Sequence, residues 1–298
     1  MKKYITSYLI SLLAFFLFSC STDPLVLNVA TYNIRNANAY DSLMGNGWDK
    51  RCPYVTQLIL YNGWDIIGTQ EGLYHQLEDL KSGLETYDYI GVARDDGKQK
   101  GEYCAILYNT QRIEALESGN FWLSLTPETP SLGWDAACIR ICTWGRFKEK
   151  GSGQEFLVFN THMDHVGVEA RIEGAYLVME KIKELSHGCP YILTGDFNVN
   201  QHHPSYKTIA ESGMVKDAYN LAEIKYTNNG TFNAFDTRRF TKDQIDHIFV
   251  SDDFSVKRYG ILTDCYWSVN EADSLKTSYD VRFPSDHFPV TALICTQQ

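Results

Sequence analysis

Short apolar runs rich in β-branched and aromatic residues recur along the chain between turn signals, at residues 25–34, 64–69, 103–108, 156–161, 191–194, 244–250 and 289–294. Runs of this kind read as strands. Helical patterns lie between some of them. The clearest spans residues 168–185, where Ile172, Ala175, Met179, Ile182 and Leu185 share one face and Gly188 follows as a stop. Residues 51–61 and 74–84 give two more. Strands alternating with helices, then a strand-rich end, predict an α/β layer structure built on mixed sheets. The polar stretches 126–133 and 226–242 are short enough to be surface loops. No repeat or low-complexity linker divides the chain, so one domain over residues 20–298 is expected.

The first nineteen residues stand apart. Lys2 and Lys3 precede an apolar stretch, residues 9–18, that is too short to span a bilayer, which takes about 20 residues. It reads as a signal peptide. Ser19-Cys20 at its end resembles a bacterial lipoprotein box, although Phe18 is bulkier than usual there, so Cys20 is the expected lipidated first residue of an exported, envelope-anchored chain. The membrane leaflet stays open, and an ordinary secretory leader is the alternative. Seven further cysteines at irregular spacing, several inside apolar runs, fit free thiols better than a disulfide framework. Cys138 and Cys142 lack zinc-site spacing.

Charge excludes one class of partner. Lys and Arg number 27 against 37 Asp and Glu, a net of −10, and no basic run occurs. A broad nucleic-acid-binding face is therefore disfavoured, although a metal could hold phosphate locally.

Chemistry gathers at the ends of the expected strands, where loops present side chains to a ligand. Asn33 ends Ala30-Thr31-Tyr32-Asn33, Glu71 ends Ile66-Ile67-Gly68-Thr69-Gln70-Glu71, and His162 and Asp164 follow Val158-Phe159-Asn160-Thr161. Asp196 and Asn198 close Leu193-Thr194-Gly195-Asp196-Phe197-Asn198, Asp246 and His247 open a run, and Asp286 and His287 precede Phe288-Pro289-Val290. Any one fragment could be an ordinary capped turn. In order, from Asn33 to His287, the set resembles the endonuclease/exonuclease/phosphatase superfamily, which includes pancreatic-type deoxyribonuclease, apurinic endonucleases, bacterial sphingomyelinases, inositol polyphosphate 5-phosphatases and deadenylases.

That resemblance implies a four-layer α/β/β/α sandwich, two mixed β-sheets face to face with helices outside and the site at one end. It implies a phosphate-ester hydrolase using Mg²⁺ or Mn²⁺, with one or two ions left open. Glu71, Asn33 and Asp286 are the expected metal group, Asp196 the residue that aligns or deprotonates water, and Asn198 a donor to phosphate oxygens. His162 and His287 are the expected imidazoles at the phosphate, with Asp246 orienting His287. Asp164, with His165, is a weaker candidate, a substrate contact and a solvated loop residue being equally open, and Arg140 and Arg171 are the candidate cationic contacts, a structural ion pair being equally open for Arg171. His247, by strand alternation, is expected to point away from the site. Trp48 and Trp134 are placed in loops, while the other tryptophans are assigned mostly to core.

Substrate is left open among nucleic acid, a lipid headgroup and small phosphorylated sugars or nucleotides. Residues 36–49 and 122–134 resemble the deadenylase-type or bacterial branch and are expected to shape the pocket. A monomer without a protein partner is expected. A surface binding module on the same sandwich is the alternative, disfavoured because no charged position of the set is missing.

Overall fold

The structure, a computed structural model, describes residues 24–270 and 278–297, so the leader and Cys20 lie outside the described residues. The chain begins with β1 (Val26–Asn33), α1 (Ala39–Leu43), α2 (Trp48–Asn62), β2 (Ile66–Gln70), α3 (Tyr74–Gly83), β3 (Tyr87–Ile90) and β4 (Ile106–Asn109). The middle holds β5 (Ile113–Trp122), β6 (Ile141–Glu149), β7 (Glu155–His162), α4 (Val168–Ser186), β8 (Tyr191–Asp196), α5 (Pro204–Ala210), β9 (Lys216–Asp217) and α6 (Ala218–Leu221). It closes with β10 (Ile224–Tyr226), β11 (Asp246–Val250), β12 (Phe254–Ile261), β13 (Tyr266–Val269), β14 (Tyr279–Arg282) and β15 (Val290–Thr296).

Seven strands form one sheet in the order β10-β12-β15-β1-β2-β4-β3, and six form a second in the order β5-β6-β7-β8-β11-β9. Both are mixed. β1 runs parallel to β2 and antiparallel to β15, while β8 runs parallel to β7 and antiparallel to β11. Between the sheets, Leu27, Val29, Ile66 and Ile106 of the first meet Phe147, Phe156, Val158, Ile192 and Ile248 of the second. The outer face of the first sheet buries Ala30, Tyr32 and Ile67 against Val55 and Ile59 of α2 and Leu77 and Leu80 of α3. The outer face of the second buries Phe159, Leu193 and Phe249 against Val178 and Ile182 of α4 and Ile209 of α5. These are the four layers of an α/β/β/α sandwich. Burial on both faces is why β1, β2, β8 and β11 carry no polar alternation.

Beneath the strand ends the two sheets are joined by polar side chains. Gln70 Nε2 donates to Asn160 Oδ1 at 2.7 Å, and Asn160 Nδ2 donates to the carbonyls of Thr69 at 2.8 Å and Ala105 at 2.9 Å. Thr194 Oγ1 reaches the same Asn160 oxygen at 3.1 Å. Gly68 permits this contact, because a Cβ there would lie 2.1 Å from Thr194 Oγ1 and 2.5 Å from Asn160 Oδ1. A buried network of this kind, in which Gln70 Oε1 alone of the Gln70 amide is left without a partner, fixes the relative position of the strands that carry the site.

Trp48 departs from its expected loop position. Gly47 serves as the N-cap, so Trp48 begins α2, is buried, and its indole donates to Asp79 at 2.8 Å. Trp134 does lie in a turn. The seven cysteines of the described residues are all free thiols. No helix among the described residues is long and apolar enough to cross a membrane.

Candidate active site

Strand register brings the expected residues together at one end of the sandwich. β7–β8 pairing sets His162 beside Asp196, and β8–β11 pairing sets Asp196 beside Asp246. β1–β2 pairing sets Asn33 beside Gln70, so Glu71 follows at the same level. Asp286 and His287 sit in the turn that enters β15, the antiparallel neighbour of β1. A cleft of about 390 Å³ opens there, lined by Glu71, His162, Asp196, Asn198, Asp286 and His287 together with Arg35, Asn36, Arg94, Glu102, Arg140 and His165.

Asp196 is the centre of the arrangement. Its Oδ2 accepts from Asn33 Nδ2 at 3.0 Å and lies 3.5 Å from His162 Nε2 and 3.7 Å from His287 Nε2. Its Oδ1 accepts from the Asn198 N–H at 2.9 Å, and Asn198 itself sits in the left-handed region at a φ of 53°. Burial and the neighbouring Asp246 charge push the Asp196 carboxyl up to about 7, against the pull of His287 and the two hydrogen bonds.

The two imidazoles are driven apart in charge. Burial disfavours the cation in both, but His287 Nδ1 meets Asp246 Oδ2 at 2.9 Å, and Asp246 and Asp196 raise it well above an ordinary histidine. His162 is held well below the ordinary value by burial and by Arg140, Arg94 and His287. Its Nε2 pairs with Asn198 Nδ2 at 3.0 Å. A charged imidazole and a neutral one thus flank a carboxylate poised near neutrality, an arrangement suited to general acid–base chemistry.

Glu71 and Asp286 converge on one positive centre. Arg35 Nη1 lies 3.8 Å from Glu71 Oε2 and 3.6 Å from Asp286 Oδ2, while Arg35 Nε is fixed by Asp41 at 2.8 Å. Burial opposes ionisation of Glu71, yet the Asn33 hydrogen bond at 3.0 Å, the His287 and Arg35 charges and the Asn36 amide hold it below its ordinary value. Asp286 is pushed the other way by burial and by the Glu71 charge. Two buried carboxylates that share one cation and offer only oxygen fit a hard divalent ion. Asp196, Asp246 and His287 also come within 4.8 Å of one another, as do Cys138, Asp164 and His165. In the first group the Asp246–His287 hydrogen bond takes up Nδ1 of the imidazole and leaves Nε2 toward Asp196. In the second, Asp164 is committed to Arg140 at 3.3 Å and to the N–H groups of Val166 and Gly167 at 2.9 and 2.7 Å.

Three expected residues, Asn33, Asp246 and Asp164, lie beneath the cleft wall and hold the side chains that line it. Arg140 faces the cleft, its Nη2 at 3.0 Å from His165 Nδ1 and its Nη1 without a partner among the described residues. Arg171 does not reach the cleft. It leaves the first turn of α4 inward, and its Nη1 donates to the Asp164 carbonyl at 2.9 Å, bracing the Asp164 loop instead of a phosphate. His247 turns to the opposite face, edge-on to Phe197 and tilted against Tyr206. Arg35, Arg94 and Glu102 were not singled out by the sequence reading. They belong to loops rather than strand ends, and only the reach of the β3–β4 connection brings Arg94 and Glu102 in.

The description "Endonuclease/Exonuclease/phosphatase family" belongs to a family model that matches residues 30–287. A Bacteroides thetaiotaomicron structure described as an endonuclease/exonuclease/phosphatase family protein is 54% identical with a TM-score of 0.89, covering 92% of this chain and 99% of that one. A structure described as the mannosyl-6-phosphatase of the same organism is 55% identical with a TM-score of 0.87, covering 90% of this chain and 99% of that one. The human nocturnin catalytic domain, 18% identical with a TM-score of 0.67 over 92% of this chain and 97% of that one, shares the fold.

Proposed function

The chain belongs to the endonuclease/exonuclease/phosphatase family and is a hydrolase of the phosphoester type, and on that premise we propose that it removes the phosphate of a small phosphorylated sugar with the help of Mg²⁺ or Mn²⁺. The observation that carries the reaction is Asp196, a carboxylate pushed up to about 7 between a charged and a neutral imidazole. Asp196 takes a proton from the attacking water. The His287 N–H, kept charged by Asp246, stabilises the negative charge gathering on the phosphoryl oxygens. Arg140 contributes a charged donor to the same oxygens, while Asn198, whose amide hydrogens go to His162 Nε2 at 3.0 Å and the Met163 carbonyl at 2.9 Å, keeps the unprotonated His162 in place beside them.

Glu71 and Asp286 would hold the cation, with Asn33 keeping Glu71 in place. When bound, such an ion withdraws charge from the phosphate and from the leaving oxygen. The sugar phosphate rests on the likeness to the mannosyl-6-phosphatase and on the small size of the cleft. With Mg²⁺ or Mn²⁺ the protein should release phosphate from a hexose 6-phosphate, and excess EDTA should abolish it. No phosphate release in either metal would overturn the assignment, and full activity in chelator would overturn the metal.

We further propose an exported lipoprotein, on the strength of Lys2, Lys3, the apolar run before Ser19 and Cys20. Cys20→Ala should abolish labelling by radioactive palmitate and move the protein out of the membrane fraction; unchanged partitioning would reject the anchor.

A further inference from the structure

One wall of the cleft supplies neither the proposed base nor the proposed metal ligands. The β3–β4 connection folds back on itself, with the Arg94 N–H donating to the Glu102 carbonyl at 3.0 Å, and the Trp122 indole pins the Arg94 carbonyl at 2.7 Å. The two side chains then face the cleft as a pair, Arg94 Nη1 on Glu102 Oε2 at 2.5 Å. Glu102 Oε1 accepts from Asn36 Nδ2 at 3.0 Å, and the same amide nitrogen reaches Glu71 Oε2 at 3.3 Å. Arg94 Nε is buried without a hydrogen-bond partner among the described residues and lies 3.8 Å from Asp95 Oδ1.

This wall therefore offers a guanidinium beside a carboxylate that retains lone pairs. A hydroxyl both donates and accepts and suits the pair, whereas a phosphate or carboxylate only accepts and meets the Glu102 charge. A second anion is penalised at this wall, and specificity of this kind is built by repulsion as much as by attraction. We propose that Arg94 and Glu102 form the subsite for hydroxyl groups of the leaving group, selecting a singly phosphorylated sugar over bisphosphorylated or polymeric esters. The proposal rests on the phosphatase reading above and adds to it the residues that choose the alcohol.

The test compares hexose 6-phosphate with p-nitrophenyl phosphate, whose leaving group carries no hydroxyl for the subsite, and with fructose 1,6-bisphosphate, in the full protein with Mg²⁺. Glu102→Ala and Arg94→Gln should each lower the ratio of kcat/KM for hexose 6-phosphate over p-nitrophenyl phosphate by about 10- to 100-fold, the effect of one lost hydrogen bond to a charged group. Glu102→Gln, isosteric and so the safeguard if Glu102→Ala does not fold, should raise kcat/KM for the bisphosphate relative to the monophosphate. Equal losses on both monoesters, with no gain for the bisphosphate, would overturn the subsite alone. A wild-type protein that hydrolyses neither monoester would overturn the phosphatase reading and the subsite with it.

Discussion

Asp196 is held where ionisation is costly, and that cost is what makes it useful. Burial and Asp246 raise it to about 7, whereas in the unfolded chain it would titrate as an ordinary aspartate near 4. Between those values the folded state keeps a proton that the unfolded state has released, so this residue makes the protein less stable as pH rises through the window. For the proposed base the demand runs the opposite way, because only the ionised form accepts a proton from water. Activity should climb with a unit slope toward a midpoint near pH 7. Asp196→Asn should remove that limb and lower kcat by about 10²- to 10⁴-fold. Since the amide carries no charge to bury, the variant should also unfold at least about 2 °C higher than wild type at pH 8, the direction expected where activity and stability trade. A calorimetric scan showing destabilisation at pH 8, with the pH limb intact, would move the base elsewhere.

At the scale of elements, α2 is tied to the site by one residue. Arg51 is fully buried, yet its guanidinium donates to four backbone carbonyls: Asn46 at 2.8 Å, Ile34 at 2.8 Å, Pro284 at 2.9 Å and Arg35 at 3.0 Å. It thereby joins the end of β1, which carries Asn33, to the turn that carries Asp286. Arg51→Met keeps an apolar stem but strands those carbonyls, and by the usual cost of lost charged hydrogen bonds it should destabilise by at least about 3 kcal/mol in urea titration, with a fall in kcat/KM as the two segments separate. A loss under about 1 kcal/mol would show that the segments hold without it. Arg51 itself read only as a helix residue in the sequence, and this marks how far the sequence could be read. Strands buried on both faces, such as β1, β2 and β8, were legible as apolar runs, and so were α2, α3 and α4. β5 was not, because it is covered on one side and carries Glu114, Glu117 and Asn120 outward. Six polar strand ends were legible because a strand end has a fixed place in the sheet. Arg94 and Glu102 lie in a charged connection that reads as a solvated turn, and only its fold-back brings them to the cleft. Arg171 fell on the right helix but its side chain turned inward, a choice that periodicity does not settle.

The whole molecule carries a net charge of −10, and its fold does not offset this at the cleft. Each arginine lining it already has an acid: Asp41 beside Arg35, Glu102 beside Arg94 and Asp164 beside Arg140. A long polyanion gains affinity by releasing counterions from phosphates that meet unpaired cations, with log K falling by about 0.9 per decade of salt for each such contact. Paired arginines surrounded by carboxylates leave few contacts of that kind, so the salt slope for duplex DNA should be shallower than about −2. A small monoester needs only the local donors around His287 and Arg140, which screening by salt affects little in a buried site. Hydrolysis of hexose 6-phosphate should therefore change little between 50 and 200 mM salt, about the range over which DNA binders that neutralise many phosphates lose orders of magnitude in affinity. Its kcat/KM should equal or exceed that for plasmid DNA throughout. Measured across that series, a steep slope together with preference for DNA would mean that the paired arginines release their acids to phosphate, and the substrate would then be nucleic acid.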